Sequence, residues 1–178
     1  MAVERLAIGS EFTSPGRTIA ESDLVTFAGL SGDFSELHTN EEYARTTQFG
    51  GRIAHGALVF SISVGLMTRM SATDGVIAFS GVDHLRFVRP VFIGDTIAVR
   101  KRLLLRRRVQ TERDVLTFDT RVFNQQGEIV LAYVDKLLVA RQLDSESDRS
   151  AVAHADESPQ AIGHSRSART RMSARLRC

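Results

Sequence analysis

The sequence predicts an α+β fold: a single domain in which one long buried helix is wrapped by an antiparallel β-sheet, followed by a disordered C-terminal tail. Three observations carry this. Between residues 57 and 70, Ala57, Leu58, Val59, Phe60, Ile62, Val64, Leu66, Met67 and Met70 leave almost no polar face, and a helix that is apolar nearly all round is a buried one. From Val76 to about residue 140 the hydrophobic pattern turns to the strand period and stays there, broken only by short turn-forming segments. Beyond Glu157 the chain holds five arginines and no acid in a Ser/Ala/Arg context, with few apolar side chains to offset an ordering entropy of about 1–2 kcal/mol per residue. The expected division is a folded domain over 1–144 and a basic, dispensable tail over 145–178.

The elements follow in chain order. Leu24, Val25, Phe27, Ala28 and Leu30 suggest a first helix, with Ser22 as its cap, Glu21 and Asp23 near the positive end of its dipole, and Gly29 and Gly32 closing it. Asn40-Glu41-Glu42 starts a second helix that runs through Tyr43 and Ala44 into the turn-rich Phe49-Gly50-Gly51. The buried helix begins after Gly56. In 97–109, Ile97, Val99, Leu103 and Leu105 alternate with Arg100, Arg102, Arg106 and Arg108, while Lys101, Leu104 and Arg107 break the alternation; the arginines are read as a solvated sheet face. Residues 115–123 and 128–140, joined by Asn124-Gln125-Gln126-Gly127, form a hairpin.

Composition narrows the classes of function. The 178 residues are 43% hydrophobic and 25% charged, ordinary values for a soluble globular protein. The net charge of +2 hides an even domain: 16 Lys/Arg and 16 Asp/Glu in residues 1–140, against 7 and 5 in residues 141–178. No nucleic-acid partner is expected of such a domain. No basic-then-apolar leader is visible, and the apolar run around 53–67 falls short of the roughly 20 residues of a membrane span; the expected address is cytoplasmic, with no membrane contact. The single cysteine, Cys178, can form neither an internal disulfide nor a cysteine metal site.

Candidate chemistry is concentrated in residues 32–58, GDFSELHTNEEYARTTQFGGRIAHGAL. Asp33 and His38 follow the first helix in a glycine-bearing segment, and a carboxylate beside an imidazole can orient and deprotonate a water. The same spacing also suits a capping Asp33 and a structural His38. His55-Gly56 stands where the buried helix begins. There the unpaired amides of a helix N-terminus can hold an oxyanion, and glycine permits close approach; a glycine needed for tight packing, with His55 as a cap or core residue, fits equally. Ser61 and Ser63 are read as hydroxyls bonded to the preceding helical turn. Asp83 and His84, adjacent in a strand, point to opposite faces.

Taken together, GDFSELH…FGGRIAHG and, further on, FVRPVFIGDTIAV at 87–99 resemble the MaoC-like dehydratases, which include the (R)-specific enoyl-CoA hydratases and have the hot-dog fold. The resemblance covers about residues 10–140, with the motifs in the family's order: G-D-x-N-P-x-H, then an apolar helix introduced by H-G. It implies that Asp33 and His38 are the catalytic pair and Gly56 the oxyanion amide, with His55 and Ser35 beside the substrate. Ser35-Glu36 departs from the family's Asn-Pro, which bears on substrate preference more than on chemistry. The implied reaction is (R)-specific hydration of a trans-2-enoyl thioester of coenzyme A or an acyl carrier protein, or the reverse dehydration, by a homodimer. No cofactor or metal is expected, because the histidines lack carboxylate or cysteine partners at ligand spacing. The alternatives are a thioesterase on the same fold and a non-catalytic acyl-binding subunit of a heterodimer.

Overall fold

The computed structural model describes residues 6–70 and 75–141, which lie within one unit, Met1–Gln142. The expected tail over 145–178, Cys178 included, lies outside the described residues. The elements are β1 (Glu11–Thr13), β2 (Arg17–Thr18), α1 (Glu21–Ser31), α2 (Glu36–Thr39), α3 (Glu41–Thr46), α4 (Gly56–Met67), β3 (Val76–Phe87), β4 (Thr96–Gln110), β5 (Arg113–Phe123) and β6 (Ile129–Ala140). The strands form one sheet in the order β1-β4-β5-β6-β3, with β2 also pairing β4, and every pairing is antiparallel. The short strands β1 and β2 and the single turn α2 have no counterpart in the sequence reading, since they are too brief for any hydrophobic period to register.

Helix α4 packs on the sheet with Leu58, Val59, Ile62, Leu66 and Met67, which join Ile97, Val99, Val122, Val130, Leu131 and Tyr133 in the main core. It is not buried all round. Ala57, Ser61 and Gly65, at i, i+4 and i+8, form an exposed stripe, and hydropathy misses it because the residues there are small rather than charged. The helix ends at Met67, before the expected Met70.

The cap of α1 also differs from expectation. Ala20 is the N-cap, and its N–H donates to the Asp23 carboxylate at 2.9 Å, so Ser22 sits inside the first turn. Gly32, with φ 77°, closes the helix in the left-handed conformation, and Gly29 is interior. Asn40 caps α3 as expected, its Oδ1 accepting from the Tyr43 N–H at 3.1 Å.

In β4 the broken alternation has a physical cause. Ile97, Val99, Lys101 and Leu103 all face the core, so Lys101 is in phase with the buried set. The register then slips between Leu103↔Phe118 and Leu105↔Thr117, a bulge at Leu104. Beyond it Arg106 lies opposite the buried Leu116 and donates to the Leu6 carbonyl at 3.0 Å and to Asp114 at 3.4 Å. Arg100 and Arg102 keep the wet face; Arg106 does not. The β5–β6 hairpin closes as expected, with Phe123 opposite Ile129 and Gly127 at φ 79°. Among the described residues no helix is long and apolar enough to cross a membrane.

Candidate active site

The segment between α1 and α4 is folded by its own polar side chains. The Asp33 N–H donates to Ser31 Oγ at 3.2 Å, and Asp33 Oδ1 accepts from the Ser35 N–H at 3.2 Å. That turn, made by an aspartate bonding the backbone two residues on, feeds the chain into α2 with Ser35 as N-cap. Ser35 is exposed and its hydroxyl makes no cap bond; its carbonyl instead accepts from the His38 and Thr39 amides. One turn of helix then carries His38 inward.

Two histidines meet there. His38 Nδ1 lies 2.7 Å from the Ile53 carbonyl, and since a carbonyl oxygen only accepts, Nδ1 carries a proton, which makes Nε2 the acceptor of the neutral ring. His55 Nε2 donates in the same way to the Asp33 carbonyl at 3.0 Å. The two rings lie with centroids 3.9 Å apart and planes 32° from parallel, and Phe27 packs on His55 from 5.1 Å. His55 is 2% exposed, and its Nδ1 is buried with no hydrogen-bond partner among the described residues. It braces the Asp33 backbone and stacks on the His38 ring, and it is the N-cap of α4.

The segment that supplies Ile53 is itself anchored. The Ala54 N–H donates to the Val91 carbonyl at 2.7 Å, and Ile53 bridges Phe92. Arg52 donates from Nε to Glu41 at 3.0 Å and from Nη2 to Glu21 at 2.9 Å, tying α3 and α1 to this segment. The hydrogen bond from Arg52 is the main reason the Glu41 carboxyl is held below its usual range, and the two carboxylates raise Arg52 above its own. Neither ion pair is visible as a sequence motif, because the partners come from three separate elements.

His38 and Gly56 open onto a pocket of about 430 Å³ also lined by Ile53, Val59, Phe87 and Pro90. Gly56 is the first residue of α4, so its amide is one of the helix's free donors. A Cβ at that position would lie 2.8 Å from the Phe87 ring, an exposed side chain that would have to turn aside to admit it. Phe87 was missed as a site residue, although it heads the 87–99 stretch.

Asp33, His38 and His55 each bring one ligand-type atom within 4.8 Å of the others. The expectation that the histidines lack a carboxylate partner thus holds for local spacing and fails in three dimensions. Each ring gives one nitrogen to a backbone carbonyl, His38 Nδ1 to Ile53 and His55 Nε2 to Asp33, which leaves one nitrogen per ring for other chemistry. The cluster suits proton transfer: an exposed carboxylate, a half-buried imidazole with a free acceptor nitrogen, and a buried ring that fixes both.

Known proteins resemble this chain in sequence and in fold. The family model described as MaoC like domain matches residues 5–124. An (R)-specific enoyl-CoA hydratase of Aeromonas caviae is 30% identical over 131 residues, 74% of this chain and 93% of that protein. One of Rhodospirillum rubrum is 46% identical over 85 residues, 47% of this chain and 57% of that protein. Protein MaoC of Klebsiella aerogenes is 40% identical over 97 residues, 54% of this chain and only 29% of that protein. The chain thus spans under a third of one of these relatives and little over half of another. Among solved structures, a monoamine oxidase regulatory protein of Archaeoglobus fulgius superposes with a TM-score of 0.73 at 40% identity, covering 80% of this chain and 95% of that one. An R-hydratase of Pseudomonas aeruginosa superposes with a TM-score of 0.65 at 33% identity, covering 77% and 84%. With the helix-on-sheet architecture, the paired Asp33 and His38, and a glycine at the head of α4, the chain belongs to the MaoC-like family and has its hot-dog fold.

Proposed function

We propose that this protein is a hydro-lyase that adds water to a trans-2-enoyl-CoA to give the (R)-3-hydroxyacyl thioester, or runs the reverse dehydration. The observation that carries the reading is the convergence of Asp33 and His38 within 4.8 Å of each other, next to the first amide of α4. Two relatives named as (R)-specific enoyl-CoA hydratases support the choice of reaction and of a coenzyme A thioester.

In this mechanism the thioester carbonyl oxygen accepts from the Gly56 N–H. Water held by the Asp33 carboxylate and His38 Nε2 adds its oxygen to the β-carbon. Between them the pair takes one proton from that water and delivers one to the α-carbon. Negative charge gathers on the thioester oxygen as the bond forms, and a preorganised donor there is worth about 3–4 kcal/mol. The helix N-terminus adds to that stabilisation. The Ser35 amide donates to the Asp33 carboxylate and orients it. The step draws on these residues and water, and coenzyme A enters only as part of the substrate. A carrier-protein thioester would bind through the same acyl group.

The test is hydration of crotonyl-CoA by the purified chain, followed by loss of enoyl absorbance, with chiral analysis of the product and a thiol assay for free coenzyme A. Formation of (R)-3-hydroxybutyryl-CoA without thiol release is expected. Stoichiometric release of coenzyme A would replace this reading with thioester hydrolysis; binding without turnover would leave an acyl-binding subunit.

A further inference from the structure

We propose that a second cavity, farther along α4, receives the distal end of the acyl chain and recognises a neutral oxygen substituent there through the buried Lys101 ammonium. The proposal rests on the enoyl-thioester reading above and extends it to a class of acyl group. The cavity, about 250 Å³, lies between the C-terminal half of α4 and the sheet, with Val64, Met67, Phe79, Phe118 and Leu137 in its wall. Lys101 is set into this largely apolar lining at 4% exposure.

The charge of Lys101 is already balanced. Its Nζ donates to Asp135 Oδ2 at 2.6 Å, Thr120 donates to the other carboxylate oxygen, and the ammonium sits 4.3 Å from the centroid of the Phe118 ring. Asp135 and Thr120 are fully buried. An ammonium has three N–H donors and this carboxylate takes one, so donor capacity remains on a residue that lines the cavity. A carboxylate arriving there would leave a net negative charge in a buried place, which is costly. A hydroxyl, ether or keto oxygen accepts an N–H without altering the charge, and such a bond to a charged donor is among the stronger ones. The ligand class is therefore an acyl chain with an uncharged oxygen near its far end.

The two cavities are aligned by the helix. Ala57, Phe60, Val64 and Met67, at i, i+3, i+7 and i+10, share one face of α4; Ala57 lines the first pocket, and Val64 and Met67 line the second. Phe60 lies on the helix between these lining residues, with its ring 5.3 Å from Tyr133 and 6.4 Å from Phe79, itself a wall residue of the second cavity. From Gly56 to Val64 the helix rises about 12 Å, a span suited to an acyl chain of about eight to ten carbons. Phe60 is the partition such a chain must displace.

The experiment compares kcat/KM for crotonyl-CoA, trans-2-decenoyl-CoA and the ω-hydroxy derivative of the latter. Wild type, Phe60→Ala and the paired replacement Lys101→Met/Asp135→Leu are assayed, the last because a lone change would strand a buried charge. Wild type should favour the ω-hydroxy chain over the methyl-ended one by at least about tenfold, because a site built to bond an oxygen penalises its absence. The paired replacement should erase that preference while leaving crotonyl-CoA turnover unchanged. Phe60→Ala should raise both long chains relative to crotonyl-CoA. Equal wild-type values for the two long chains, or a preference that survives the paired replacement, overturns the proposal. Calorimetric binding of decanoyl-CoA and its ω-hydroxy derivative reads the cavity without turnover. Absence of crotonyl-CoA hydration therefore counts against the parent reading, and equal binding of the two ligands counts against this one.

Discussion

Gly56 meets two conditions at once: a Cβ there would press on the Phe87 ring and push it aside, and the Gly56 amide is a free donor at the head of α4. Gly56→Ala should destabilise the fold by about 1 kcal/mol, the low end of an overpacking cost, because the exposed Phe87 ring can turn aside. Adding Phe87→Ala should recover most of the melting temperature but not the hydration rate, since the new methyl group still crowds the amide. Full recovery of both would mean that the glycine serves packing alone. Asp33→Asn and His38→Gln remove the titrating groups with little change of shape, and each should lower kcat by about 10²–10⁴-fold. The double variant should lose little more than the worse single one, as residues acting as a unit are not additive. Asp33, His38 and Gly56 were legible because they belong to one short ordered motif. The hydrogen-bond partner of His55 was not, because that acceptor is a carbonyl 22 residues upstream, and backbone acceptors have no sequence signature.

At the scale of elements, α1, α3 and the segment before α4 are held together by Arg52, whose side chain is 18% exposed. Arg52→Met should lower the melting temperature and cut kcat by up to about tenfold with little change in KM, because it loosens the carbonyl that orients His38 without touching the substrate pocket. The pH dependence has a definite sign. Arg52 depresses the Glu41 carboxyl below its ordinary value of 4.5, so the stabilisation is present above that pH and fades as the pH falls through the depressed value. The gap in melting temperature between wild type and Arg52→Met, measured by calorimetry, should therefore narrow on the acid side of 4.5. A constant gap down to low pH would remove Glu41 from the account. Helix and hairpin elements were readable here because their periods run for ten residues or so. The β4 arginines were misread in part because one extra residue at Leu104 reverses the phase, and alternation counted along a strand cannot locate a bulge that only its partner reveals.

For the whole molecule the open question is what covers β3. This strand bonds β6 along one edge, yet Val76, Ile77, Phe79, Leu85 and Phe87 are all exposed. An exposed apolar edge strand is a template for pairing with another chain, and a two-fold axis is the commonest way to satisfy it. The exposed small residues Ala57, Ser61 and Gly65 would let a second backbone approach α4 as well. We therefore expect a homodimer paired through β3. The arrangement bears on chemistry, because β3 ends at Phe87, and Phe87, Val88, Arg89 and Pro90 all line the candidate active-site pocket. A partner strand on this edge would steady that wall. Ile77→Lys combined with Leu85→Lys places like charges on the edge, away from the pocket. Sedimentation should show a dimer for wild type and a monomer for the variant, and crotonyl-CoA hydration should fall with dissociation while helix and sheet content by circular dichroism stays the same. A wild type that sediments as a fully active monomer would show that β3 is left open and that the pocket wall stands without a partner.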